Sequence, residues 1–329
     1  MDHISLFEIS SKLKGVNIYL NNNFLKKMLI RASNSDRPHC SLDFIKKMGL
    51  KLTTKYSCCT IYGWIKYQKT IPLEKLRIVS NLGNISQKEI ERNIISLNAG
   101  RGNIKINFPI YLNEQLGSII GHILGDGSID KKYLQVFFSN SERALLKEFS
   151  NNMMEIFKIE PRIWMQKEPE FGNTHWDKRL SRIDQLILGR NGGLFYPTIC
   201  GLILNAIFED FAIGKNKKMT FKIMNANKNF KRGLVRAFYD DESSVGKKNI
   251  RLFQDKIEVL EAFRKILREF EINASEIKFY IKRDKQRFYL DIFKKSNFIK
   301  FRNEIGFTSP LKAKKLDELC IIKNLKNSK

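Results

Sequence analysis

The chain has 329 residues, and its 59 lysines and arginines against 34 aspartates and glutamates give a formal net charge of +25. Hydrophobic residues make up 43% and charged residues 28%, which is typical of a globular protein and excludes a disordered or fibrous one. No apolar run approaches the roughly 18 residues of a membrane-spanning helix. The N-terminal segment also lacks the apolar core of a secretory signal. We therefore expect no membrane partner and an intracellular location.

The five cysteines argue against a disulfide framework, because their number is odd and no two are spaced as Cys-x-x-Cys. The pairs His39-Cys40 and Cys58-Cys59 offer possible zinc ligands, but adjacent cysteines are awkward chelators and buried thiols are the commoner explanation. Free thiols fit a reducing compartment.

The positive charge is distributed unevenly. Residues 1–100 carry 16 basic and 7 acidic side chains, residues 101–213 carry 13 of each, and residues 214–329 carry 30 and 14. A charge of this size indicates a polyanionic partner, most often nucleic acid, because each phosphate that a lysine or arginine neutralises releases a counterion. The alternative is a solubilising surface, since runs of charge are usually solvated.

Residues 1–100 are predicted to form an all-α domain. Ser86 and Glu89 make a capping box, Pro72 stands at a first-turn position, and Ser41 caps a helix that Gly49 ends. The predicted helices are Phe24–Ala32, Leu42–Met48, Tyr56–Tyr67, Leu73–Asn81 and Gln87–Ile95. This order of short helices resembles a helix-turn-helix DNA-binding domain, although a helical packing or interaction bundle has similar spacings.

The glycines and proline of GRGNIKINFP predict a linker over residues 101–113. At the other end of the chain, residues 321–329 form a basic tail that is expected to fray.

A duplicated unit stands after the linker. The two copies are Leu116–Ile129 and Gly233–Val245, and each is an apolar helix with a small residue in its middle, Gly121 or Ala237. Each helix ends at a carboxylate, Asp126 in the first copy and Glu242 in the second. One such match is explained by ordinary helix ends; two in matching positions favour a shared function.

The elements after each copy repeat in the same order. The first copy is followed by Leu134–Phe138, Glu142–Phe157, Arg162–Met165, Gln185–Leu188 and a helix near Leu194–Phe208. The second is followed by Ile250–Phe253, Lys256–Phe270, Ile277–Ile281, Phe288–Ile292 and Asn297–Ile305. Both halves, residues 114–228 and 229–320, are therefore predicted to have the order αββαββα.

Helices with small residues on facing sides pack with their backbones close together. If both end at the same level, Asp126 and Glu242 lie side by side, which costs energy unless they share protons or bind cations. Hard divalent ions such as Mg²⁺ suit this cluster, and such ions assist hydrolysis of a phosphodiester.

These residues resemble the LAGLIDADG homing endonuclease family. The nine-residue motif is matched by IIGHILGDG at Ile119–Gly127 and by VRAFYDDES at Val235–Ser243. The second match has the archaeal-type form, in which Glu replaces the final Asp of the motif. The resemblance covers about residues 105–320. It implies an α+β fold in which two pseudo-symmetric αββαββα halves form saddle-shaped antiparallel sheets over DNA in a monomer. His122 is expected to be an interface or surface residue rather than a base.

The resemblance also implies roles for individual residues. Metal would be bound by Asp126 and Glu242, with the neighbouring carbonyl groups of Gly125 and Asp241. Basic residues beside the scissile phosphates would be Lys215 and Lys312, and water-ordering residues would be Asn140 and Gln254. One departure from the motif is Ser243, which replaces the glycine best suited to a turn with positive φ.

Alternating strand residues are candidates for reading base edges in the major groove. The candidate DNA-binding residues are Gln135, Arg251, Lys278, Lys282 and Arg287.

We therefore predict a site-specific double-strand DNA endonuclease that uses Mg²⁺ or Mn²⁺ at a long, pseudo-symmetric target. The alternatives are an RNA maturase that binds its own intron RNA and a non-catalytic DNA-binding transcription regulator. The ends of the chain lack splicing residues, so we expect a free-standing, intron-encoded protein of the cytoplasm or nucleoid, or of an organelle if an organellar intron encodes it.

Overall fold

The computed structural model describes residues 3–51, 53, 58–100, 102–166, 176–187, 189–214, 216–282 and 285–321, without the side chains of residues 177, 282 and 285. Its architecture is α+β with antiparallel sheets, as the sequence predicted. No helix in these ranges is long and apolar enough to span a membrane.

The N-terminal region combines helices with a sheet. Its helices are α1 (Leu6–Ile9), α2 (Asn22–Ser33), α3 (Leu42–Lys47), α4 (Cys59–Lys66), α5 (Leu73–Leu82) and α6 (Gln87–Arg92). Its strands are β1 (His3–Ile4), β2 (Asn17–Leu20), β3 (Ile71–Pro72), β4 (Ile94–Ala99), β5 (Gly102–Ile104) and β6 (Ile110–Tyr111).

The expectation of an all-α domain over residues 1–100 is wrong. An antiparallel sheet of four strands, in the order β3-β2-β4-β5, stands beside the helices. The predicted helix Gln87–Ile95 stops at Arg92 because the β-branched pair Ile94 and Ile95 begins β4. The start of the predicted helix Tyr56–Tyr67 lies outside the described residues. A helix-turn-helix role for α3 and α4 stays a prediction.

Two parts of the predicted linker belong to sheets. β5 completes the N-terminal sheet, and β6 pairs with β1. β5 also packs on the following half of the chain, since a Cβ on Gly102 would lie 2.5 Å from the Cβ of Pro197. The N-terminal region is therefore packed against the rest of the chain rather than tethered to it.

The first half contains α7 (Glu114–Leu124), β7 (Ser128–Ile129), β8 (Val136–Asn140), α8 (Arg143–Phe157), β9 (Arg162–Gln166), β10 (Trp176–Leu180), β11 (Gly192–Tyr196), α9 (Thr198–Phe208), β12 (Ala212–Ile213), β13 (Asn216–Lys217) and α10 (Phe221–Met224). The second half contains α11 (Lys228–Glu242), β14 (Ser243–Val245), β15 (Ile250–Gln254), α12 (Ile257–Glu269), β16 (Lys278–Lys282), β17 (Lys285–Ile292), α13 (Lys295–Glu304) and α14 (Pro310–Ile321).

The two halves share a sheet topology. The second sheet has the order β14-β15-β17-β16, and the first contains the corresponding order β7-β8-β11-β9. Strand β10 extends the first sheet at one edge, and β12 and β13 extend it at the other. Helices α8 and α12 cover one face of each sheet with buried residues such as Phe149 and Phe263.

One predicted strand of the first half is wrong. Residues Ile183–Gln185 form a 3-10 turn, and the strand lies at Gly192–Tyr196, where the sequence predicted the start of a helix. Two glycines weaken the strand pattern there. They are needed because a Cβ on Gly193 would lie 2.7 Å from the Trp176 ring.

Candidate functional site

Helices α7 and α11 cross at the centre of the molecule with their backbones in contact. A Cβ on Gly117 would overlap the carbonyl oxygen of Phe230, and a Cβ on Gly233 would overlap a carbonyl oxygen of α7. A Cβ on Gly121 would lie only 2.8 Å from the Cβ of Ala237. The predicted approach of the two helices at their small residues is confirmed.

Both helices begin and end alike. The side chain of Asn113 accepts a hydrogen bond from an N–H of the first turn of α7, and that of Asn227 does the same for α11. At the other end, α7 is followed by Gly125 and Asp126, and Glu242 is the last residue of α11. The crossing thus brings the ends that carry the two acids to the same side of the molecule.

The Asp126 carboxylate is held by the adjacent strand. The Nδ2 of Asn140 donates to Oδ2 of Asp126 at 3.0 Å. Asn140 ends β8, so the sheet orients this carboxylate. The sequence assigned Asn140 to water, but in this structure its side chain contacts the acid itself.

A cleft of about 620 Å³ opens beside Glu242, and Lys217, Gln254 and Arg287 are among its lining residues. Gln254 ends β15 as Asn140 ends β8. Its Oε1 accepts from the N–H of Asp255 at 2.8 Å. Gln254 and Glu242 thus line the same cleft.

The two acids lie in a negatively charged environment. Burial, followed by the charges of Asp241 and Glu242, raises the pKa of Asp126 to about 7. Burial also raises the pKa of Glu242, against the opposing attraction of Lys217. Asp126 is solvent accessible, but it stands in a concave site where protein replaces much of the water around its carboxyl group. A divalent cation would relieve this repulsion.

Two lysines bind the ends of the helices. Nζ of Lys217 donates to the Gly125 carbonyl, and Nζ of Lys312 donates to the carbonyl of Tyr239 at 3.1 Å and to that of Asp240. Burial lowers the pKa of both lysines. Each helix end therefore has a lysine within reach of its acid.

Sequence reasoning predicted Lys215 and Lys312 as the basic residues of the site. Lys215 lies outside the described residues, whereas Lys217 of the same GKNKK run is placed at Gly125. The sequence carried the signal in this run but could not select among three lysines. The selection depends on β13, which pairs Lys217 with Ala212.

The side chain of Asp241 is turned into the protein. Its Oδ2 lies 3.0 Å from Nδ1 of His122, whose Nε2 lies 3.6 Å from Oε2 of Glu148. Burial lowers the pKa of His122, but Asp241 and Glu148 outweigh this and bring it to about 10. Burial raises the pKa of Glu148, but His122 outweighs this and holds it at about 2. The sequence predicted an interface or surface residue at His122; the structure buries it at the interface, with partners that the sequence did not identify.

Ser243 does not need a positive φ. It follows α11 at φ −110° and ψ 161°, which is extended backbone, and it begins β14. In the first copy, Gly127 is required by crowding, because a Cβ there would lie 2.8 Å from the Cα of Ile123. The predicted penalty for serine is therefore absent.

The candidate DNA-binding residues of the second half share one face of its sheet. In β15, Ile250 and Leu252 are buried, so the intervening Arg251 points away from the core. Lys278 pairs with Tyr289 in the same ladder, and Arg287 pairs with Tyr280. The side chain of Lys282 lies outside the description, and Gln135 immediately precedes β8.

Arg251 is fixed by contacts within the sheet. Its Nε and Nη2 donate to the two carboxylate oxygens of Asp291 at 2.8 and 3.0 Å. Its guanidinium group lies 4.2 Å from the centre of the Tyr289 ring. Arg251 is thus oriented before any ligand binds.

The corresponding face of the first sheet carries a cluster of aromatic rings. Phe137 lies 4.7 Å from Phe195 and 5.5 Å from Trp176, measured between ring centres. The sequence had indicated polar and basic reading residues on these strands. Arg162 pairs with Phe195 on this face, and the open face of the second sheet has its own ring pair, Tyr280 and Tyr289, 6.0 Å apart. Both faces therefore combine aromatic and basic side chains.

The donor set suits a hard cation that takes further ligands from substrate. Among the described residues, no group of three or more His, Cys, Asp or Glu side chains is placed to hold a metal. Mg²⁺ is usually bound by one or two carboxylates together with water and phosphate oxygens. Asp126 and Glu242 fit that pattern, whereas the Gly125 carbonyl, which the resemblance had implied as a further ligand, accepts from Nζ of Lys217.

Comparison with known proteins identifies part of the chain. Residues 229–306 match the family model of the LAGLIDADG-like domain. A curated relative, the Replication factor C small subunit of Methanocaldococcus jannaschii, is 26% identical over 211 residues, which are 63% of this chain and 10% of the relative. The chain thus spans about a tenth of that relative's length.

Several solved structures are similar at 15% identity. They include mesophilic variants of the homing endonuclease I-DmoI (63% of this chain, 98% of that chain, TM-score 0.44), I-DmoI in complex with DNA and Mn (59%, 97%, 0.40), and full-length DUF199/WhiA from Thermatoga maritima (65%, 63%, 0.40).

Proposed function

We propose that this chain is a site-specific DNA endonuclease that cuts both strands with Mg²⁺ or Mn²⁺ held by Asp126 and Glu242. The observation that carries the proposal is the pair of acids that follow two helices packed backbone to backbone, each with a lysine at its helix end. The match of residues 229–306 to the LAGLIDADG-like domain supports it.

The side chains of the site have different roles. Bound Mg²⁺ would polarise the scissile phosphate and lower the pKa of a water molecule. Asp126 and Glu242 would bind the divalent cations, each acid serving one DNA strand, and Asn140 keeps the Asp126 carboxylate in place. Lys217 and Lys312 balance the negative charge of the acids and attract the phosphate groups of DNA.

The open faces of the two sheets form the DNA surface. Arg251, Lys278 and Arg287 contact the half-site under the second half, while aromatic rings such as Phe137 contact the other half-site. The target is therefore long and only pseudo-symmetric. Because one chain supplies both halves, a monomer is sufficient.

The N-terminal region extends this contact. Helix α4 is followed by the exposed Tyr67. Nζ of Lys66 lies 5.4 Å from the ring centre of Tyr62 and 5.9 Å from that of Tyr67. A cation beside two aromatic rings suits contact with a phosphate backbone.

The test is cleavage of a randomised plasmid library and of genomic DNA, with and without Mg²⁺, followed by sequencing of the ends. Wild-type protein is expected to produce ends at one recurrent locus only with metal. Asp126→Asn and Glu242→Gln are expected to lose cleavage while retaining binding. The control Asp255→Asn, in the same cleft but not at a motif helix end, is expected to cut.

Other outcomes contradict the proposal. Cleavage of both strands at the wild-type rate by Asp126→Asn would exclude the mechanism. Specific DNA retention without metal-dependent cutting would indicate a transcription regulator. Specific retention of the host transcript, with protein-dependent splicing, would indicate a maturase.

A further inference from the structure

One buried oxygen of the second half binds two groups of the first. Oδ2 of Asp241 lies 3.0 Å from Nδ1 of His122, and it accepts a hydrogen bond from the N–H of Asp126 at 3.3 Å. The side chains of His122 and Asp241 are both 0% exposed. Asp241 therefore joins α11 both to α7 and to the turn that carries a candidate metal-binding acid.

The turn is shaped to receive this carboxylate. A Cβ on Gly125 would lie 2.5 Å from Oδ2 of Asp241. Only glycine at position 125 lets the Asp126 backbone come this close to Asp241. Gly125 and Asp241 occupy the same position of the two motifs, so they face each other across the pseudo-two-fold axis.

The other side of the axis has no such link. By motif position, Phe238 corresponds to His122, and it stacks on Phe263 with ring centres 4.1 Å apart and planes 13° apart. Gly125 corresponds to Asp241 and has no side chain. The connection therefore runs in one direction, from the second half to the Asp126 turn.

The charges of the pair are matched. A buried carboxylate without a partner is strongly destabilising, and Asp241 lies among other acids. His122 contacts Asp241 on one side, at 3.0 Å, and Glu148 on the other, at 3.6 Å. The imidazole thus allows a third carboxylate to be buried at the site.

We propose that His122 and Asp241 act as a positioning pair that fixes the backbone of Asp126, and thereby the rate at which the strand served by Asp126 is cut. Neither side chain contacts DNA in this role. The part that concerns cutting rests on the proposed function.

The first test needs no DNA. Hydrogen exchange at the Asp126 amide is measured in wild type, His122→Phe, Asp241→Ala and His122→Asn, because this amide is the one that Asp241 holds. His122→Phe and Asp241→Ala are expected to speed exchange at least tenfold. His122→Asn, whose amide nitrogen replaces Nδ1, is expected to stay within about threefold of wild type.

The control is Lys231→Met. Lys231 lies on α11, is 6% exposed, and has Nζ 2.7 Å from Glu269. Its loss also breaks a partly buried ion pair between helices, but far from the Asp126 turn. Exchange at Asp126 is expected to stay at the wild-type value. Equal acceleration in this control and in His122→Phe would show a general loss of stability and overturn the proposal.

The second test resolves the two strands. His122→Phe is expected to slow cutting of the strand that Asp126 serves at least tenfold more than cutting of the other strand. His122→Asn is expected to bring the ratio of the two cutting rates back towards the wild-type value. Equal slowing of both strands would overturn the proposal. If wild type cuts no DNA, the proposed function fails, but the exchange measurement still decides whether the pair positions Asp126.

Discussion

Asp126 and Glu242 occupy equivalent positions but differ by one methylene group, so the two sides of the candidate site are not chemically identical. Glu242 reaches its place on the longer side chain from the last turn of α11, whereas Asp126 stands one residue beyond Gly125 in a turn. We therefore expect the length of each side chain to be matched to the backbone that carries it.

Glu242→Asp tests this match. Shortening the side chain withdraws the carboxylate from the cation, so cutting of the strand served by Glu242 is expected to fall at least tenfold while the other strand is cut at the wild-type rate. Strand-specific end labelling measures both rates in one reaction. Equal rates on both strands would show that side-chain length is not matched to backbone position.

The buried histidine predicts a pH dependence of stability. The pKa of His122 rises from 6.5 to about 10 on folding, so its contribution is fully present below about pH 6.5 and is lost as the pH rises to about 10. The melting temperature of wild type is therefore expected to exceed that of His122→Phe most at pH 6 and less at pH 9. A difference that grows with pH would contradict the assignment.

At the residue level, the sequence predicted the acids because they form a repeated pattern. It did not predict Lys217 as the contact of Gly125, nor Asp241 and Glu148 as partners of His122. These contacts join elements far apart in the chain, and periodicity gives no distance between them.

The crossing of α7 and α11 sets the geometry of the site at the scale of secondary structure. Their contact lies at Gly117, Gly121 and Gly233, where the absence of side chains lets the backbones meet. A methyl group at this crossing must separate the helices and therefore the acids at their ends.

Gly117→Ala is expected to destabilise the protein by about 3 kcal/mol or more, because overpacked cores shift backbone as well as side chains. The matched control is Gly63→Ala in α4, where a Cβ meets only the flexible Lys69 side chain at 3.3 Å. The control is expected to be neutral or to stabilise by up to about 1 kcal/mol through helix propensity. Urea unfolding of both variants measures the difference.

The elements of the second half from β15 to α13 were predicted to within a few residues, because most are amphipathic helices or alternating strands. Helix α14 (Pro310–Ile321) was not predicted. The N-terminal sheet was not predicted. Its strands are short, and β2 pairs Ile18 with Leu97 and Ile71, which are distant in sequence. In the first half, the additional strand β10 shifted the assignment of β11.

The whole molecule is strongly basic, and this predicts how DNA binding responds to salt. Affinity is expected to fall steeply with salt concentration, since each neutralised phosphate releases a counterion. Arg287→Ala is expected to weaken binding and to reduce the slope of log affinity against log salt by about 1 if it contacts phosphate. The control is Lys300→Ala, because Lys300 lies on α13 and is paired with Glu271. This variant is expected to leave the slope unchanged. Fluorescence anisotropy from about 50 to about 300 mM salt measures the affinity and the slope for each protein. Identical slopes for wild type and Arg287→Ala would exclude Arg287 from contact with phosphate.

The one-way contact between Asp241 and Gly125 has a consequence for the ancestry and engineering of the chain. Duplicating the second half would bring two Asp241 carboxylates together where Gly125 now leaves room for one. Duplicating the first half would set two glycines face to face and deprive each His122 of its Asp241 partner. A symmetric homodimer of the second half would therefore crowd two carboxylates, and one of the first half would leave two histidines without their acid, so each half of this chain supplies what the other lacks.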